Sequence, residues 1–216
     1  MDILSKYLVL PVTNGIMEQL REWDKQLLIF LNSHHADWLD SLMMLFTEKY
    51  FWLPLYLLLL ILIVKNYKKD VWLILLVIAL MITVSDQVTS TIMKPYFARL
   101  RPSHDPSLDG IIHLVNEYNN GLASLYKGGM YGFASSHAAN TFATATFCWL
   151  LLRGIYKWTS LLFLWATLVT YTRVYLGVHY PGDILVGGLI GTLVAFACFR
   201  LYIWVQLKWD SRKSAT

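Results

Sequence analysis

Arg173, His179 and Asp183 fall within one short stretch, Tyr171 to Asp183, at the break between two long apolar runs. Each side chain brings a different capability. An arginine is a fixed cation whose planar fork of donors suits phosphate oxygens. A histidine attacks phosphorus or moves a proton near neutral pH. An aspartate beside it fixes the imidazole tautomer and stabilises the cation that forms. Pro181 and Gly182 form a turn signal between them, so Asp183 is expected to cap the next helix while its carboxylate reaches back toward the imidazole. The same residues also fit a plain polar loop with an N-cap aspartate, and alone they do not choose between the two.

Two further stretches bear on that choice. Lys94 and Arg101 lie seven residues apart, and Pro102 follows the arginine. Ser135, Ser136 and His137 place two hydroxyls and a second histidine before another apolar run. Taken singly, Lys94 and Arg101 would also serve as snorkelling anchors at a membrane surface, and His137 as a polar helix start. Together the three stretches resemble the three-part signature of the type-2 phosphatidic acid phosphatase superfamily: Lys-x6-Arg-Pro, then Pro-Ser-Gly-His, then Ser-Arg-x5-His-x3-Asp. The spacings within the first and third parts match in full. Ala134 stands for the proline, Ser136 for the glycine and Thr172 for the leading serine. The resemblance covers residues 94–183.

The resemblance implies a mechanism. Lys94, Arg101 and Arg173 would balance the phosphate charge, helped by the Ser135 hydroxyl and by the backbone N–H groups of Ser136 and His137 at a helix start. His179 would be the nucleophile, forming a phosphohistidine, with Asp183 orienting it. His137 would protonate the leaving oxygen and later activate water. No metal or other cofactor is called for, since three cations do the charge work. Vanadate is expected to occupy the phosphate position. The substrate implied is a membrane lipid phosphate or pyrophosphate: undecaprenyl pyrophosphate, phosphatidic acid, phosphatidylglycerol phosphate or lipid A phosphate. The short chain and compact loops favour an undecaprenyl-pyrophosphate-type or general lipid phosphatase. The rivals are a phosphotransferase that passes the phosphate to another acceptor, and a non-catalytic lipid-binding or transport protein.

The elements that must position these residues are membrane helices. The chain has 216 residues, 56% of them hydrophobic and only 15% charged, with mean hydropathy +0.48; a soluble domain carries nearer a quarter charged residues. The net charge of +4 fits basic loops of a membrane protein and does not call for nucleic acid. Cys148 and Cys198 lie inside apolar runs and read as small hydrophobes. The N-terminus lacks the pattern of a cleavable signal, so none is expected.

The expected fold is all-α: a polytopic transmembrane bundle of five to six spans with amphipathic, interfacial N-terminal helices. Residues 1–49 form the interfacial segment, with a turn at 11–15 and short helices over 21–33 and 36–48. His34 and His35, between those helices, read as interfacial polar residues or, less simply, metal ligands. Residues 50–206 form the bundle, with spans near 50–65, 71–93, 137–153, 155–175 and 183–206. Residues 95–136 form an active-site loop with a packed or membrane-dipping segment, and 207–216 a basic tail. Asp86, in the polar half of the second span, either lines the same cavity as Lys94 or makes an interhelical hydrogen bond.

Alternating spans put Lys94, Arg101, His137, Arg173, His179 and Asp183 on one membrane face. The other face holds Lys65, Lys68, Lys69, Arg153, Lys157, Arg200, Lys208, Arg212 and Lys213. The positive-inside rule then places the site at the periplasmic or exterior face of a bacterial inner membrane, although Lys6, Arg21, Lys25 and Lys49 add positive charge there too.

Overall fold

The computed structural model describes residues 15–119 and 122–213. Most of the turn expected at 11–15 and the last three residues of the tail lie outside them. Seven long helices dominate: α1 (Ile16–Asn32), α2 (Asp37–Thr47), α3 (Leu53–Tyr67), α4 (Val71–Asp86), α5 (Ser136–Leu152), α6 (Leu161–Tyr175) and α7 (Pro181–Lys213). The tail expected from 207 therefore continues α7 as helix. The expectation of a purely helical chain needs one correction. Within 95–136, β1 (Asn116–Asn119) pairs antiparallel with β2 (Leu122–Leu125), Asn116 opposite Leu125 and Asn119 opposite Leu122. Asn120-Gly121 separates the strands in sequence, the dipeptide that favours a tight hairpin.

Two stretches, Lys49–Phe97 and Pro181–Trp209, are long and apolar enough to cross a membrane. The first is interrupted at Lys68, where a φ of +38° ends α3. The other spans expected from the sequence correspond to α5 and α6, of 17 and 15 residues, which are shorter than a bilayer core requires of a lone helix. On α7 the lipid-facing stripe is legible. Leu185, Leu189 and Leu193 are 72, 60 and 59% exposed, a four-residue repeat of bare leucines.

The opposite face of α7 packs on α5 through small residues. A Cβ on Gly187 would lie 2.3 Å from the carbonyl oxygen of Ser135, and one on Gly191 only 2.0 Å from that of Ala139. Glycine at both positions lets the two backbones touch, the usual solution where lipid supplies no hydrophobic drive between helices. That contact sets the start of α5 beside the start of α7, and the Ser135 N–H donates to the Asp183 carbonyl at 3.0 Å. Below it, Phe147, Ala143, Trp165, Ala195 and Tyr202 join a buried core shared with α3, α4 and α6.

The far end of the bundle is tied separately. Asn66 donates to the Tyr156 hydroxyl at 3.3 Å, Tyr67 donates to the Leu151 carbonyl, and Gln206 donates to Asp70 at 3.0 Å. The turns bearing Lys65, Lys68, Arg153 and Lys157 thus gather away from the motif residues.

The N-terminal helices are more than surface decoration. Asn32, at the end of α1, is buried; its Nδ2 donates to the Tyr175 carbonyl at 2.7 Å, while its Oδ1 accepts from the His113 N–H at 2.7 Å. Asn32 thus supplies a donor to the Tyr175 carbonyl, in the last turn of α6 where intrahelical donors run out. Trp23, Leu27 and Phe30 stay exposed on α1 while Leu28 is buried with Leu108, Val174 and Tyr180.

Candidate active site

α6 ends at Tyr175 with Leu176 as its cap, and Gly177 adopts φ +68°, a left-handed conformation that suits glycine after a helix. The reversal brings the N–H groups of Val178 and His179 onto the Arg173 carbonyl, at 3.1 and 3.2 Å. Arg173 and His179 are thereby fixed to each other by backbone alone. Pro181 begins α7, as its fixed φ and missing N–H favour at a first helical position.

Asp183 accordingly lies inside the first turn of α7, three residues after the capping position and not at it as expected. Its carboxylate does reach back. Oδ2 accepts from the Tyr180 N–H at 3.1 Å and meets His179 Nδ1 at 3.2 Å, while Oδ1 accepts from Arg99 at 2.9 Å. With Nδ1–H directed at Asp183, the His179 Nε2 carries the free lone pair.

Lys94 follows a stretch of π-helix, Gln87–Met93, a local widening often found at functional sites. Ser136 Oγ accepts from Lys94 Nζ at 2.8 Å and lies 2.9 and 2.8 Å from the hydroxyls of Thr89 and Ser90. The serine in the place of the family glycine therefore anchors Lys94 to the start of α5. Ser135 is the N-cap of α5, its Oγ accepting from the Ala138 N–H at 3.4 Å. The N–H groups of Ser136 and His137 have no intrahelical acceptor in that first turn, so they suit an anion.

Arg101 is held by the carbonyls of Tyr131 at 3.2 Å and Val178 at 3.4 Å. Burial, chiefly, and the charge of Arg173 lower its pKa to about 10, which leaves it cationic at neutral pH. Arg173 donates through Nη1 to the Thr47 and Tyr126 hydroxyls at 2.6 and 3.0 Å. Its Nε is buried with no hydrogen-bond partner among the described residues, a donor that an anion's oxygen would satisfy. Burial first, then the charges of Arg101, Arg173, Lys94 and Arg99, hold the His179 imidazole well below the ordinary histidine range. These surroundings favour the neutral imidazole at His179.

Lys94, Arg101, Ser136 and His137, with Asp86, line one end of a cavity of about 740 Å³. Its other end is apolar, walled by Tyr56, Leu59, Ile63, Ile78, Met81 and Cys148. Of the two possibilities for Asp86, the cavity wall is the one observed, and Asp86 accepts from Ser90 one turn on at 3.3 Å.

The structure brings all eight expected residues to one end of the bundle. It adds Arg99, Asp24, Thr47 and Tyr126, which sequence reasoning missed, and Thr89 and Ser90 from the polar half of the second span. Arg99 had a signal: Leu100 pairs with Tyr131 in an extended bridge, so an Arg-x-Arg pattern puts both arginines on one side. Gly132, in the partner segment, had none. A Cβ there would lie 2.9 Å from Asp183 Oδ2, 3.2 Å from Arg101 Cγ and 3.5 Å from His179 Nδ1. Gly132→Ala is expected to displace the His179–Asp183 pair and lower kcat by roughly 10- to 100-fold, checked by steady-state kinetics beside a thermal melt that confirms folding.

With this geometry established, likeness to known proteins is informative. Residues 70–206 match the PAP2 superfamily model. The chain is 41% identical over 180 residues to a lipid A 4'-phosphatase of Bacteroides thetaiotaomicron, covering 82% of this chain and 75% of that one. It is 30% identical to an undecaprenyl-diphosphatase of Sulfolobus acidocaldarius over 92% of this chain and 89% of the other. The crystal structure of the PAP2-type phosphatidylglycerolphosphate phosphatase from Bacillus subtilis superposes with a TM-score of 0.58 at 22% identity, covering 88% of this chain and 87% of that one. The chain belongs to the PAP2 superfamily and is a membrane lipid phosphatase of that type.

Proposed function

We propose that His179 attacks the phosphorus of a lipid phosphate whose acyl portion occupies the apolar cavity. The observation that carries this is His179, oriented by Asp183 and within the field of Lys94, Arg101 and Arg173, while Lys94, Arg101, Ser136 and His137 line the cavity. In the first step the Nε2 lone pair forms a P–N bond as the P–O bond to the lipid breaks. The leaving oxygen takes its proton from His137. A bound phosphate dianion favours the protonated form of that imidazole, as any nearby opposite charge does. In the second step His137 takes a proton from water, the water oxygen bonds to phosphorus, and the P–N bond breaks. Lys94, Arg101, Arg173 and the first N–H groups of α5 stabilise the charge spread over the equatorial oxygens. These three cations do the work a metal does elsewhere, so activity is expected to persist in EDTA.

The substrate class is read as a lipid A 4'-phosphate, from the 41% identity to a protein of that name. A second reading, an isoprenyl diphosphate, has the support of the relative that matches 92% of the chain. Phosphate release by detergent-purified protein, in EDTA, from lipid A, undecaprenyl diphosphate, phosphatidic acid and phosphatidylglycerol phosphate separates them. Preference for lipid A supports the first reading; preference for the diphosphate replaces it; preference for either glycerophospholipid removes both. Our reading has the site face the periplasm, supported by the positive charges at the opposite end of the bundle.

The depressed pKa of His179 has a consequence for stability. Between its folded value and the ordinary value near 6.5, the unfolded chain binds the additional proton. Stability therefore falls as pH drops through that window and is recovered as pH rises above it. Melting temperatures from pH 7 to 5 are expected to fall more steeply for the wild type than for His179→Asn.

A further inference from the structure

Arg99 is shared between two carboxylates on different helices. Its Nη1 donates to Asp183 at 2.9 Å and its Nη2 to Asp24, on α1, at 2.7 Å. The guanidinium sits over Tyr180, with its carbon 3.8 Å from the ring centre, and Tyr180 donates from its hydroxyl to Asp105 at 2.8 Å. The other oxygen of Asp24 accepts from the Gly182 N–H at 2.7 Å, in the first turn of α7. A Cβ on Gly182 would lie 2.7 Å from Asp24 Oδ2, so glycine is what admits the carboxylate.

We propose that Asp24 is a positioning residue for the reaction, setting the His179–Asp183 pair through Arg99 and Gly182. It does so in two ways. It holds the first turn of α7, which carries Asp183, against α1. It also takes part of the charge of Arg99. An Arg99 without Asp24 turns wholly to Asp183 and withdraws negative charge from the carboxylate that must stabilise the imidazolium of His179 as the nucleophile reacts. The phosphate-binding cations are untouched by this linkage: Lys94 is tied to Ser136, Arg101 to the Tyr131 and Val178 carbonyls, and Arg173 to Thr47 and Tyr126. Loss of Asp24 therefore acts on turnover and not on binding. The inference rests on His179 as the nucleophile.

The test is a double-mutant cycle in the full-length, detergent-purified protein, with Asp24→Asn, Arg99→Gln, the double variant and His179→Ala. Lipid A phosphate release is the readout, and a melt confirms folding. Asp24→Asn keeps shape and loses charge, and is expected to lower kcat about 10-fold or more with KM within a factor of about two. In the Arg99→Gln background it is expected to add little, because the asparagine oxygen can still accept from Gly182 and the charge route through Arg99 is already cut. Wild-type kcat in Asp24→Asn overturns the proposal. So does a loss that appears in KM alone, or effects that multiply in the double variant as independent sites do. Undiminished release by His179→Ala removes the nucleophile assignment and the inference with it, an outcome visible apart from the cycle.

Discussion

His179→Ala is expected to lower kcat on a lipid phosphate on the order of 10⁴-fold or more, because a nucleophile has no partial substitute. Binding should survive. Lys94, Arg101 and Arg173 are held by partners of their own: Ser136, the Tyr131 and Val178 carbonyls, and Thr47 with Tyr126. None depends on the imidazole. The variant is therefore expected to retain substrate affinity within a few-fold, measured by displacement of bound labelled lipid phosphate with inorganic phosphate, while turnover disappears. Loss of both together would point to collapse of the site instead of loss of a bond-forming atom.

His137→Gln is the second large effect. An alkyl or sugar leaving group needs a proton as the P–O bond breaks, and general acid catalysis contributes about 10²–10⁴-fold. That loss is expected for a lipid substrate. For p-nitrophenyl phosphate, whose leaving group departs as a stable phenolate, the first step should be nearly normal. The second step still needs a base for water, so the variant should release a burst of p-nitrophenol and then slow as phosphoenzyme accumulates. Equal losses on both substrates without a burst would deny His137 its role as acid.

The motif residues were more legible in the sequence than the groups that hold them. Lys94, Arg101, Ser135, Ser136, His137, Arg173, His179 and Asp183 carry a motif with strict internal spacing, and apolar runs mark where each helix lies. Alternation of those helices was enough to place the eight on one side. The tie of Asp24 to Arg99 was not legible, since it depends on how α1 docks against α7, and no local pattern encodes that contact. The anchors of Arg173, Thr47 on α2 and Tyr126 after β2, are distant in sequence for the same reason. Asp183 was expected as the N-cap and sits inside the first turn, because Pro181 starts the helix earlier than the aspartate's own capping tendency suggests. The role of Ser136 was half visible. A hydroxyl in place of glycine suggested a donor or cap, but the π-helical turn at Gln87–Met93 that brings Thr89 and Ser90 to it leaves no signature in a run of polar residues. Span number was the least legible feature, since α5 and α6 are short for lone spans and threonine-rich in places, with α5 packed against both α6 and α7.

The most direct measurement is capture of the phosphoenzyme. Purified protein is mixed with lipid phosphate labelled with ³²P at the scissile group, quenched in alkali within milliseconds to seconds, and digested. Label that is stable to base, labile to acid and located on the peptide bearing His179, and absent from His179→Ala, is the expected result. Rapid release of labelled phosphate with no label on the protein at any time, or label on His137 in its place, would contradict His179 as the nucleophile.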